Sequence, residues 1–317
     1  MNGWISVRVA ERREEAEGIV GLVLAPLPGA SLPPYEPGAH IDLKMPNGMI
    51  RQYSLCGQVG DTMVYELGIL LETAGRGGSR HVHEEVKVGD VLDISAPRNL
   101  FALVPGEPAL LFAGGIGITP IIAMADHLAR SGTPYALHYC ARTHARIAFR
   151  ERIAHSHAPH HVHYHFDDVP QTRLDMARVL AEAEPQAHLY ACGPAGFMDF
   201  VIGAARAAGW PEARLHVEHF SAPEVQDTGD AFEIEIAGTG QIVPVASGQS
   251  AATALAEAGI EVPLSCEQGI CGTCLTTVLA GVPDHRDMYL SAAEQAANDC
   301  FTPCCSRART PRLVIEI

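Results

Sequence analysis

Apolar positions alternate, or gather in short runs, at Trp4 to Val9, Ile19 to Leu24, Ala39 to Met45, Ile50 to Leu55, Met63 to Leu71 and Val91 to Ile94. A period of two places such residues on one side of a strand, and turn residues separate the segments. Six short strands with one helix expected over His81 to Val86 predict a small antiparallel β-barrel spanning residues 1–105. "MPNGM" at 45–49 predicts a hairpin with a tight primed turn, since Asn47 and Gly48 can both take positive φ.

From Pro108 the pattern changes to apolar runs near 109–113, 135–140, 162–166, 187–191 and 214–217, alternating with helical stretches. Continuous apolar runs suit parallel strands buried on both faces, so residues 106–222 read as a doubly wound α/β domain. A polar connector, "SAPEVQDTGD", follows, with the linker set at 223–230. Residues 231–317 then offer a hairpin around Gly238 to Gly240 and a helix capped by Ser250 and stopped at Gly259. Strand, strand, helix and clustered cysteines is the order of an α+β, β-grasp ferredoxin-like module. The expected fold is thus multidomain.

Length and charge narrow the function. A chain of 317 residues has material for two or three cores. Its 37 acidic against 22 basic side chains give a net charge of -15, which argues against nucleic acid as a partner. The start, "MNGWISVRVAERREEAEG", has no basic-then-apolar leader, so a cytoplasmic location is expected. The uncharged stretch Ala109 to Ala125 is interrupted by glycines and Thr119-Pro120, and reads as strand, turn and helix rather than a membrane span.

Nine cysteines in a reducing compartment point to metal rather than disulfides. "CEQGICGTC" holds Cys266, Cys271 and Cys274 with four and two residues between them. Structural zinc usually uses two separated Cys-x2-Cys pairs, whereas a triple followed by one later ligand matches a plant-type 2Fe-2S cluster. Cys300, Cys304 and Cys305, with 25, 29 and 30 residues after Cys274, are all available as the fourth ligand. Gly269, Gly272 and Thr273 let the loop curl with its amides toward sulfur.

Two further motifs suit nucleotide cofactors. In "RQYS" at 51–54, Arg51 can pair with the phosphate of FMN, Tyr53 can pack on the flavin and Ser54 can approach N5, while the four residues alone also read as an ordinary strand with a salt-bridged arginine. "GRGGS" at 75–79, with Gly77, Gly78 and Ser79, supplies amides for a phosphate cradle. "GGIGITP" at 114–120 follows a buried strand and opens a helix, so Gly114, Gly115 and Gly117 can admit a dinucleotide, with Thr119 as cap and Pro120 in the first turn. "CGP", Cys192 to Pro194 with Gly193 between, repeats this at a later strand end, and Arg142 can reach an adenosine ribose or 2'-phosphate or stand as a solvated arginine. Asp167 and Asp168 would repel that phosphate.

"CEQGICGTC", "DHRDMYLSAAE" and "CCSRA", with "RQYS", "GRGGS" and "GGIGITP", resemble the phthalate dioxygenase reductase and vanillate demethylase reductase family along nearly the whole chain. The resemblance implies Cys304 as the fourth ligand, followed by the small Cys305 and Ser-Arg-Ala. It implies FMN lined by the strand holding Ile69 and Leu70, the Cys192 loop beside the nicotinamide, and Phe220 of "EHFS" covering the flavin. Leu71 departs from relatives that carry a basic side chain nearby. Hydride transfer, positioned near Ser54, Cys192 and Phe220, needs no acid or base. NADH is the donor favoured, with NADPH open, and the implied acceptor is the Rieske-type terminal oxygenase of an aromatic or related small substrate. A haem-thiolate monooxygenase is the alternative acceptor, and a redox sensor or scaffold without turnover the alternative class. A monomer is expected. The six imidazoles of "HSHAPHHVHYH" at 155–165 read as a half-exposed strand, with weak adventitious metal binding as the other reading.

Overall fold

The computed structural model describes residues 3–220 and 229–317. Most of the expected 223–230 linker lies outside the described residues. The chain divides into two compact units, Met1–His219 and Phe220–Ile317.

In the first unit, strands β1 (Ile5–Ala16), β2 (Ile19–Pro26), β3 (Ala39–Lys44), β4 (Ile50–Ser54), β5 (Tyr65–Leu70), β6 (Val91–Ile94) and β7 (Arg98–Asn99) form one antiparallel sheet. The order is β4-β3-β6-β1-β2-β5, with β7 beside β3. A bridge between Leu55 and Leu67 joins its two ends, closing the barrel. Alternating side chains such as Val7, Val9, Leu22, Leu24, Ile41, Leu43, Leu67 and Ile69 fill the interior, and Val82 of helix α1 (Gly78–Glu84) packs against them.

Three local expectations are corrected. β1 runs on to Ala16 through a charged stretch, because Arg13 pairs across the sheet with Glu66 and along the strand with Glu15. At 45–49 only Gly48 has positive φ, 83°, while Met45 accepts from the Gly48 amide at 2.9 Å and donates to Met49. That loop is one residue longer than a primed two-residue turn. The helix expected over His81 to Val86 begins at Gly78, so the glycine-rich turn itself becomes the helix start.

The same unit continues with β8 (Ala109–Gly114), β9 (Tyr135–Ala141), β10 (Val162–Phe166), β11 (His188–Cys192) and β12 (Leu215–Glu218). They are parallel, in the order β10-β9-β8-β11-β12. Helices α2 (Ile118–Ser131), α3 (Arg150–Ser156), α4 (Met176–Glu182) and α5 (Ala195–Ala207) connect them. Strand order reverses between β8 and β11, and such a switch point opens a crevice at the strands' carboxyl ends. Ala109 to Ala125 is β8 followed by the start of α2, and no helix among the described residues is long and apolar enough to cross a membrane.

The second unit contains β13 (Phe232–Ile236), β14 (Ile242–Val245), α6 (Ala251–Glu257), β15 (Thr276–Ala280), β16 (Pro283–Asp284), α7 (Ala292–Ala297), β17 (Cys300–Phe301), β18 (Arg307–Ala308) and β19 (Arg312–Glu316). Its main sheet has the order β14-β13-β19-β15-β17, with β13 and β19 parallel. Leu255 of α6 packs on Ile234, Val243 and Leu313, which gives the β-grasp core. Ser250 caps α6 by accepting from the Thr253 amide, and Gly259 ends it at φ 79°.

Candidate functional site

Cys266, Cys271 and Cys274 lie in the loop between α6 and β15, and Cys304 in the turn between β17 and β18. The Cys266 side chain meets those of Cys271 and Cys304, and Cys304 also meets Cys274. The amides of Gln268 and Thr273 point at Cys266 Sγ and Cys271 Sγ, each at 3.4 Å. Gly269 and Gly272 hold φ of 73° and 67°; a Cβ would drive Gly269 into Cys305 Sγ and Gly272 into the Tyr289 ring. Four soft sulfur donors inside a cage of N–H groups fit a 2Fe-2S cluster. Among the described residues no three His, Cys, Asp or Glu groups are set for a single ion.

The two alternative cysteines have further partners. The Cys305 side chain meets that of Cys304 and borders Gly269, and its sulfur also lies 3.3 Å from Thr302 Oγ1 and 3.9 Å from Ser306 Oγ. Cys300 pairs with Thr277 in the β15–β17 ladder. Asp287 braces the surrounding segment, accepting from the Leu290 amide at 2.7 Å, while the Met288 amide donates to Gly269.

In the first unit the arginine and glycine motifs of the flavin reading come together. Arg51 Nη2 donates to the Arg76 carbonyl at 3.1 Å, and an added Cβ at Gly78 would stand 2.5 Å from Arg51 Cγ. Gly77 is left-handed at φ 83°, and Ser79 Oγ accepts from the Glu72 amide at 2.9 Å to close the turn. Tyr53 sits on β4 beside them, its phenol pushed up to about 12 by burial. A cationic fork lying on a glycine turn fits a flavin's phosphate, and a Cβ would fill that cradle. The Ile69 side chain points into the barrel core and its carbonyl lies 2.9 Å from His83 Nε2, which leaves the half-buried Leu70 on the outer face.

The two nucleotide loops meet at the switch point. An added Cβ at Gly117 would strike the Cys192 carbonyl, and one at Gly193 would lie 2.9 Å from Gly114 Cα. Gly115 has φ 54°. These glycines let backbone approach backbone. Thr119 is not the cap of α2: it lies inside the first turn, buried, and its hydroxyl donates to the Ile116 carbonyl at 3.1 Å. Pro120, also in that turn, needs no amide partner. Pro194 precedes α5. Arg142 is exposed just past β9, and the Asp167 amide donates to Ala141 at 3.2 Å, which sets the acidic pair beside it. Phe220, in the second unit, is 39% exposed.

One residue escaped the motif reading. Glu218, the last residue of β12, faces Cys192 in register and accepts from Ser54 Oγ at 3.2 Å. Burial lifts its carboxyl to about 8 against the pull of that hydroxyl, and lifts the Cys192 thiol well above its usual range with help from Glu218. Its position at the carboxyl end of a parallel strand was the available signal. The histidine run is largely engaged within the fold: His165 contacts the His138 ring at 3.0 Å and the Thr172 carbonyl at 2.7 Å, while His157 meets the Tyr135 hydroxyl.

Residues 234–309 match the 2Fe-2S iron-sulfur cluster binding domain model, and residues 111–202 the oxidoreductase NAD-binding domain model. Vanillate O-demethylase oxidoreductase of Pseudomonas sp. strain HR199 is 49% identical over 99% of this chain and all of its own length. The solved phthalate dioxygenase reductase, described as a modular structure for electron transfer from pyridine nucleotides to [2Fe-2S], superposes with a TM-score of 0.77 at 32% identity, covering 99% of this chain and 98% of that one. An intact type IV self-sufficient cytochrome P450 monooxygenase gives 0.86 at 36% identity, covering 99% of this chain and 41% of that chain. Fold and motifs therefore define an NADH-dependent iron-sulfur flavoprotein reductase. The chain belongs to the vanillate O-demethylase oxidoreductase and phthalate dioxygenase reductase family.

Proposed function

We propose that this chain takes electrons from NADH and passes them one at a time to the Rieske-type terminal oxygenase of an aromatic or related small substrate. In the proposed layout residues 1–105 hold FMN, 106–222 hold the dinucleotide, 223–230 link, and 231–317 carry the cluster on Cys266, Cys271, Cys274 and Cys304. When bound, the flavin supplies the conversion of a two-electron hydride donor into a one-electron source for the cluster.

The chain's own residues position and shield. Arg51 and the Gly77-Gly78-Ser79 turn anchor the phosphate, Tyr53 supports the flavin ring, and the loops at Gly114 to Pro120 and Cys192 to Pro194 receive the dinucleotide. Ser54 holds its proton toward Glu218, which stays protonated below about pH 8 and keeps a negative charge away from the exchange site.

The observation that carries this reading is the Ser54–Glu218 hydrogen bond, which ties the "RQYS" strand to the strand paired with the Cys192 loop. Anaerobic NADH titration tests it: flavin absorbance should bleach first, followed by a paramagnetic signal from reduced cluster. Absence of bleaching would overturn the reading. A second acceptor, a haem-thiolate monooxygenase, is favoured by the match to a self-sufficient P450 chain, and reconstitution with each purified oxygenase separates the two.

A further inference from the structure

Gly68 lies in the middle of β5, opposite Gly21 of β2. Its neighbours Leu67 and Ile69 point into the barrel, so Gly68 faces out, toward the nucleotide fold. An added Cβ there would stand 2.8 Å from Phe149 Cζ and 2.8 Å from Thr119 Cγ2. Phe149 and Thr119 are 3% and 2% exposed, so neither has room to yield. The contact thus joins the strand of Ile69 and Leu70 to the first turn of α2, which follows Gly117, the two elements assigned above to flavin and dinucleotide.

Phe149 is held in an unusual state to make this contact. Its φ of 56° and ψ of 24° are left-handed, a region a bulky aromatic rarely adopts, and it precedes α3 without capping it through its side chain. Asn or Gly would suit that backbone better. The conformation is over-determined: the Ala148 amide donates to Tyr139 Oη at 3.1 Å and Phe149 accepts from the Ile153 amide at 2.9 Å. The same segment grips the barrel on either side of the ring. The Glu17 amide donates to Ala145 and Arg146 pairs with Glu17, both at 3.0 Å, while Arg152 reaches Glu66 at 3.4 Å.

We propose that Phe149, wedged with Thr119 against the bare backbone of Gly68, is a positioning residue that sets how closely the nicotinamide loop approaches the flavin strand. The inference rests on the cofactor assignment above. Near-attack geometry tolerates little displacement, so a methyl group at residue 68 acts on transfer rather than on affinity.

Gly68→Ala in the full-length holoprotein tests it by anaerobic stopped flow. Flavin and iron content should match wild type, and the NAD+ dissociation constant from calorimetry should change less than about threefold. Flavin reduction should slow by about tenfold or more, with a larger primary isotope effect from NADH deuterated at C4. Gly68→Ala/Thr119→Ser, which deletes the opposing methyl and keeps the hydroxyl, and Gly68→Ala/Phe149→Leu should each recover part of the rate. If Gly68→Ala does not fold, Phe149→Leu alone should alter the isotope effect at unchanged NAD+ affinity. A wild-type rate in Gly68→Ala, or slowing that neither double variant relieves, overturns the proposal; so does an unaltered isotope effect in Phe149→Leu. Wild-type protein that NADH fails to bleach would instead sink the electron-transfer reading, and this inference with it.

Discussion

Ser54 Oγ donates to Glu218 Oε2 at 3.2 Å, across 164 residues of chain, and brings the last residue of a barrel strand to the last residue of a nucleotide-fold strand. Burial raises the Glu218 carboxyl from 4.5 to about 8. Between those values the folded protein keeps a proton that the unfolded chain has released. Stability therefore falls as pH rises through this window and levels off above about pH 8. Glu218→Gln removes the titration, and the first unit of the variant should show a flatter melting midpoint from pH 5 to 9 than wild type. An unchanged slope would mean that Glu218 does not carry it.

The cysteine ligands are separable by substitution. Cys304→Ser should abolish normal cluster assembly, because its side chain meets both Cys266 and Cys274. Cys300→Ser and Cys305→Ser should retain iron, since Cys300 lies in a strand ladder and Cys305 contacts Thr302 and Ser306. Iron content and visible absorption decide; iron loss in Cys305→Ser with retention in Cys304→Ser would reverse the assignment.

Nucleotide preference should respond to Asp167. Its amide bonds Ala141, next to Arg142, and its carboxylate helps burial push the Cys140 thiol up to about 12. Removing one exposed charge near a 2'-phosphate is worth about 1 kcal/mol, so Asp167→Asn should raise NADPH use relative to NADH by about fivefold. Steady-state kcat/KM with both donors checks this, and an unchanged ratio removes Asp167 from the selectivity.

Arg307 is the stability hinge of the second unit. It is 1% exposed, donates to the carbonyls of Gln249, Asp230 and Ala246, and lies 5.2 Å over the Phe232 ring. Arg307→Met removes the donor to three carbonyls, of which Ala246 keeps the Gln249 amide, and should cost about 3 kcal/mol, with Arg307→Lys intermediate because a point charge cannot fork. Loss of cluster absorbance on heating should come earlier in the same order.

Much of this protein was legible in its residues. The strands of the barrel, the five parallel strands and the cysteine loop follow from period-two alternation, buried apolar runs and a ligand spacing that few other sites share, all of which are local. Even the caps at Ser250 and Gly259 were readable, because a helix end is satisfied within a few residues. What the chain alone left open was every relation across long separations. Three cysteines were equal candidates by spacing, and it is the packing of distant segments that brings the Cys304 side chain to Cys266 and Cys274 and sets Cys300 in the ladder with Thr277. Thr119 read as a cap until burial turned its hydroxyl back to Ile116. Glu218 and Phe149 carried no motif, since an ordinary carboxylate and an ordinary phenylalanine acquire their roles from Ser54 and Gly68, far away in sequence. Sequence determines periodicity and spacing through neighbouring residues; burial, and the partner that meets a side chain there, exist only once distant segments have packed.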